Sequence, residues 1–203
     1  DFSWKDFQTR NNSELVAIFG NFVNRAVVLT HKYFNGSVPE CGPLEQVDRD
    51  VLAGIPAIRE ALEKNLETYK FREALKEAMN LARLGNKYIS DTEPWKVAKT
   101  DMARTATILN ISLQLCASLV IAFAPFTPFA AERLRRMIDS PLDWNLLGKS
   151  DILAAGHQLR EAELLFTKIE DAEIDRQLER LAAIRAEREA AEKAEAAKKV
   201  APQ

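Results

Sequence analysis

The sequence predicts an all-α fold: a bundle of about five helices followed by a charged helical tail. Three observations carry this. Apolar residues recur at three- and four-residue steps through most of the chain. Only 7 Gly and 8 Pro occur in 203 residues, which leaves few turns and long helices. No stretch alternates apolar and polar residues as a strand would.

The elements follow in order. Residues 1–10 carry Phe2, Trp4 and Phe7 and read as a short aromatic plug that packs against something else, such as a neighbouring domain. Asn11-Asn12-Ser13-Glu14 is a helix start signal, and Leu15, Phe19, Phe22, Val23, Ala26 and Val27 carry a helix to about Tyr33. Gly36, Pro39, Gly42 and Pro43 make 35–47 a loop. A second helix begins near Asp48, with Leu52, Ile55, Ile58, Leu62 and Leu66 on one side; Pro56 should bend or restart it. A third runs from about Lys70 to Ile89. The junction Ser90–Trp95 ends it, and Asp91 or Thr92 can cap the next helix. That helix pauses at Thr100-Asp101, then continues through Leu109, Leu113, Cys116, Val120 and Phe123. Apolar residues lie nearly all round it, so it is the central helix rather than a membrane span. Ala124-Pro-Phe-Thr-Pro128 breaks it, a shorter helix starts at Phe129, and 139–169 are mixed. From Glu170 the chain turns to Ala, Glu, Arg and Lys, a solvated helix that becomes a linker ending at Ala201-Pro-Gln203. The organisation is therefore a short aromatic segment over 1–10, the bundle over 11–169 and the tail over 170–203.

Net charge is -2, and the nine acids and seven bases from Glu170 onward account for all of it. A generic polyanion binder would carry a strong basic excess, so any nucleic-acid contact must use a local face. Cys41 and Cys116 stand far apart with only His31 and His157 beside them, which gives neither a zinc site of paired spacing nor a disulfide framework. A reducing, cytoplasmic setting fits this usage. No signal peptide is visible, and the chain begins without Met, as an excised fragment would. No Gly-rich phosphate loop, metal cluster or nucleophile signature appears. No catalytic residue and no metal ligand is therefore assigned. His31 reads as capping or solvating a helix end.

Recognition is better provided for. Asn21 and Arg25 are four apart and emerge on one helix face, with Asn24 beside them. Asn offers a paired donor and acceptor, and Arg a planar fork of donors. Together they can read the edge of an unstacked base, or they can satisfy a buried neighbour and an acid. Trp95 is open in the same way: Ala98 and Met102 follow it at helical spacing, which suits a core anchor, whereas Pro94 in a first turn would stiffen the ring as a stacking platform.

Three stretches carry a resemblance. Gly20-Asn-Phe-Val-Asn-Arg25, Leu81-Ala-Arg-Leu-Gly-Asn-Lys-Tyr88 and Glu93-Pro-Trp-Lys-Val-Ala-Lys99 resemble, in that order, the anticodon-binding domain of methionyl-tRNA synthetases. Ala124-Pro-Phe-Thr-Pro-Phe-Ala-Ala-Glu-Arg-Leu134 is similar to a segment shared by helix-bundle domains of class I synthetases, and Asp1-Phe-Ser-Trp4 to the end of the segment joining catalytic domain and bundle. The resemblance covers about residues 1–170. It implies binding of the CAU anticodon loop of methionine tRNA, with Trp95 stacking on an anticodon base, Asn21 and Arg25 bonding the wobble cytosine and Pro94 shaping the platform; Asn24 and Asn86 are supporting candidates. The catalytic domain's signatures and the Cys ligands of its zinc-bearing insertion are absent, so ATP, and zinc where present, belong to another part of the enzyme and this part takes no cofactor. Leu165-Phe-Thr-Lys-Ile169 has Thr where many relatives have Pro or Arg, and no site is placed there. The tail resembles a linker to an appended tRNA-binding module, in which the family's dimerisation resides, so a monomer without membrane contact is expected. Two alternatives stay open: the bundle of an isoleucyl, valyl or cysteinyl synthetase, and a helical adaptor whose tail docks a partner helix.

Overall fold

The computed structural model describes residues 2–200, the side chains of 195–200 excepted. Asp1 and the linker end at Ala201-Pro-Gln203 lie outside the described residues. Eight α-helices form among them: α1 Trp4–Arg10, α2 Asn21–Phe34, α3 Gln46–Glu67, α4 Phe71–Thr92, α5 Pro94–Val97, α6 Met102–Phe123, α7 Pro128–Ile138 and α8 Asp171–Val200. A π-helical stretch, Asn11–Gly20, joins α1 to α2, and Trp144–Leu146 make a 3-10 turn. No strand forms among the described residues, in agreement with the predicted all-α class.

The chain divides into two compact units, 13–167 and 1–12 with 168–203. In the smaller unit, Asn12 exchanges two hydrogen bonds with the backbone of Ile169, each 2.9 Å, and Gln8 donates to Asp171 at 2.8 Å. In the larger unit, α3 and α4 form a helical hairpin across Thr68-Tyr69-Lys70, and α4 touches α2 and α6 as well. α6 is the axis. Every residue from Thr107 to Phe123 is buried, so the one described helix long and apolar enough for a membrane is the core of the bundle. Phe19 stacks on Phe123 at 4.2 Å between ring centroids.

Several boundaries differ from those the sequence suggests. The first helix does not start at Asn11–Glu14. Ser3 caps α1 by accepting from Asp6 N, and the chain is helical from Trp4 onward, so residues 4–10 are a helix rather than a separate plug. The π-helical stretch takes an extra residue per turn, which shifts the periodicity at the place where a start was read. Pro56 neither breaks nor restarts α3: it is exposed, where water can satisfy the carbonyl it leaves without a donor. Neither Asp91 nor Thr92 caps α5. Thr92 Oγ1 donates back to Tyr88 O at 2.7 Å, Asp91 pairs with Lys87, and Glu93 holds the cap position. The pause at Thr100-Asp101 is where the sequence puts it: Asp101 accepts from Arg104 N at 2.8 Å and starts α6. His31 does more than solvate a helix end, since its Nε2 lies 2.8 Å from Arg160 O.

Candidate nucleic-acid interface

The face in question is built where α2, α4 and α5 meet. Gly85 sets the approach of the first two. A methyl at its Cα would sit 2.5 Å from the Phe22 ring, so only a residue without a side chain lets α2 lie this close to α4. That contact places Asn21, next to Phe22, opposite Asn86, next to Gly85. Asn21 Nδ2 lies 3.4 Å from Asn86 Oδ1, a long hydrogen bond that leaves both amides with spare donors and acceptors. One turn further along both helices, Arg25 donates from Nη1 to Ser90 Oγ at 3.0 Å.

The corner after α4 then brings up the ring. Glu93 ends α4 in the left-handed region, φ 42° and ψ 57°, although a residue before proline favours extended backbone. Such a conformation persists only where its surroundings fix it. Here the Glu93 carbonyl accepts from Lys96 N and Val97 N, its side chain pairs with Lys96 at 2.8 Å, and Pro94 behind it is buried. The result is Trp95 held in the first turn of α5, half-buried, with the Arg25 guanidinium 5.2 Å above its ring centroid.

Asn21, Arg25, Asn86, Pro94 and Trp95 therefore come together, and Trp95 is neither a dry core anchor nor a free ring. Asn24 lies half-buried on α2, and its side chain makes no hydrogen bond to a described residue. Ser90 belongs to the group and was not singled out by its sequence. Gly85 carried a usable signal, since a lone glycine inside a helical pattern tends to mark a close approach.

The same helix α4 also contributes Tyr88 to an ionic cluster. Asp48 on α3 has no exposed surface. It accepts from Arg104 Nη1 and Nη2 at 2.5 and 2.9 Å, from Tyr88 Oη at 2.6 Å and from Glu45 N at 2.8 Å. Burial alone would raise the Asp48 pKa; bonds from Arg104, Tyr88 and the Glu45 amide outweigh it and hold the carboxyl below its usual value. Burial and the Asp48 carboxylate both push the Tyr88 phenol up. The cluster ties α3, the C-terminal part of α4 and the start of α6 together. Among the described residues no three His, Cys, Asp or Glu side chains converge as metal ligands.

An arrangement of this kind offers a flat ring, a planar cation and two amides, all partly exposed, with no nucleophile and no acid–base pair among them. It can bind and discriminate a flat polar group. A family model described as the anticodon binding domain of methionyl tRNA ligase matches residues 38–186, a span that includes Asn86, Pro94 and Trp95 and leaves Asn21 and Arg25 outside. Methionine–tRNA ligase of Phocaeicola vulgatus is 60% identical over 192 residues, 94% of this chain and 28% of that protein. That of Bacteroides fragilis is 61% identical over 182 residues, 89% of this chain and 27% of the relative. The fold is shared with the apo methionyl-tRNA synthetase of Mycobacterium tuberculosis, TM-score 0.74 at 22% identity, covering 83% of this chain and 35% of that one. The chain thus spans little more than a quarter of the length of the curated relatives it matches. With the matched family model covering most of its length, the chain belongs to the anticodon-binding domain family of methionyl-tRNA ligases.

Proposed function

We propose that this chain reads the CAU anticodon of methionine tRNA on behalf of a longer methionine–tRNA ligase. One anticodon base stacks on Trp95, and the wobble cytosine is read by Asn21 and Arg25, with Pro94 fixing the ring and Asn86 and Ser90 orienting the two readers. Asn24 is a neighbour able to add a contact. The observation that carries the reading is the convergence of these side chains, from three helices, on one half-open face with unspent hydrogen-bonding capacity. Sequence-specific RNA recognition uses such faces to take up unstacked loop bases.

The geometry adds a step. Arg25 covers one side of the Trp95 ring, so a base takes the other side or displaces the guanidinium. In either case Arg25 and Trp95 respond to the same ligand. Methionine activation with ATP, and any zinc, belong to the remainder of the ligase. This part acts in the cytoplasm, as a single copy and without a cofactor of its own.

The test is binding of two RNA hairpins that differ in their anticodon, CAU and GAU. The chain should prefer CAU, and Trp95→Ala should lose affinity by roughly ten- to a hundredfold, as expected when a stacking contact worth about 1–3 kcal/mol is removed. In the whole ligase, Trp95→Ala should slow aminoacylation and leave ATP–pyrophosphate exchange unchanged. Normal charging by that variant would sink the proposal.

A further inference from the structure

One face of α4 continues past the site. Arg72, Lys76, Arg83, Lys87 and Ser90 recur at steps of four, seven, four and three, which aligns them along the helix. The row ends at Ser90, where Arg25 is bound, and starts 18 residues earlier, about 27 Å away at the usual helical rise. Charge along it is uneven. Arg83 is paired with Glu14 at 3.2 Å, and Lys87 with Asp91. Arg72 and Lys76 are exposed and pair with no described residue. Arg72 and Lys76 are thus two unpaired cations in line with the base-reading face, on a helix whose exposed Glu73 stands between them in sequence.

We infer that this face of α4 is a backbone track for the RNA stem that carries the anticodon loop, with Arg72 and Lys76 contacting its phosphates. The inference rests on the anticodon reading, which fixes the loop at the Ser90 end and leaves the stem to run toward the start of α4. A negatively charged partner is what two bare cations in register select, and the continuity of the row with the reading face makes that partner the same RNA. The track carries no base discrimination: phosphate contacts position a nucleic acid and do not specify its sequence.

The experiment compares the chain with its Arg72→Ala/Lys76→Ala variant, using a CAU loop closed either by a short stem or by a full anticodon stem, across a range of salt. Both positions are exposed, and an unchanged far-UV spectrum and melting temperature confirm that the variant folds. The unaltered chain should bind the long-stem hairpin more tightly than the short-stem one. The variant should lose that advantage, about three- to tenfold, and its log affinity should fall less steeply with log salt, by about one to two units for two lost phosphate contacts. Its preference for CAU over GAU should be unaltered. Equal salt slopes and an unchanged stem-length effect would overturn the track while the CAU preference upholds the anticodon reading. A track effect with no CAU preference would overturn the reading and keep this face as an RNA-binding surface. No binding of either hairpin by the unaltered chain would overturn both.

Discussion

Two arginines of this bundle, Arg104 and Arg25, are treated in opposite ways. Arg104 grips Asp48 with both arms of its guanidinium, has Glu45 at 3.3 Å, and keeps only 12% of its side chain exposed. Arg25 makes a single hydrogen bond, to a serine hydroxyl, and rests on an indole ring. The first has its donors answered by the fold and the second leaves most of its five N–H groups open. A guanidinium that is fully paired is part of the framework, whereas one left short of acceptors at a half-open surface is equipped for a ligand. The two are mechanically linked, since Tyr88 of the closed cluster sits on α4 between Asn86 and Ser90 of the open face.

The comparison breaks most severely if Asp48 is removed. Asp48→Ala leaves Arg104, mostly buried, with only the exposed Glu45 as a partner and beside an unpaired Tyr88 hydroxyl, and it should cost about 3–5 kcal/mol of stability, read as a lower urea midpoint. An unchanged midpoint would show that the cluster is not framework. Gly85→Ala comes next. Its methyl must push Phe22 away, which should cost about 1–3 kcal/mol and widen the gap between Asn21 and Asn86, so hairpin affinity should fall along with the melting temperature. On the open face, Arg25→Lys keeps the charge and loses the planar fork. It should leave stability nearly untouched and reduce the CAU-over-GAU preference by about 1–3 kcal/mol.

Acid separates the two regions further. The folded pKa of Asp48 lies below its unfolded value of about 3.9, so the unfolded chain takes up the proton first. The stability this carboxylate contributes is present above that value and is lost as pH falls through the folded one. Asp48→Asn should flatten that part of the acid-unfolding curve, whereas Arg25→Lys should leave it as it is. The smallest effect belongs to Lys87→Ala. Its i,i+4 pair with Asp91 is exposed and should be worth no more than about 0.5 kcal/mol in a melting experiment.

The periodic parts of this fold are legible in its sequence. The 3.6-residue pattern locates α2, α3, α4 and α6, and Asp101 announces the start of α6, because apolar spacing and capping are local properties. What escapes is set by contacts distant in sequence or by backbone that breaks the period. The π-helical stretch disguises a continuous helix as a helix start. Glu93 adopts positive φ although no glycine marks the turn. Asp48 marks a helix start in the sequence, and its bonds to Tyr88 of α4 and Arg104 of α6 arise only on folding. The pairing of Arg25 with Ser90 joins residues 65 positions apart, and no spacing rule connects them. Asn21, Arg25 and Trp95 could be singled out because each carries unusual chemistry, but their meeting on one face is a property of the folded bundle.

Trp95 reports most directly on the central claim, that one anticodon base stacks on its ring. The chain has 3 Trp, so Trp4→Phe and Trp144→Phe together leave Trp95 as the sole indole. Titration with the CAU hairpin should then quench its fluorescence to saturation, and the GAU hairpin should reach the same quench only at roughly tenfold or higher concentration, as one lost base contact requires. Fluorescence unmoved by CAU, or moved equally by both hairpins, would contradict the account.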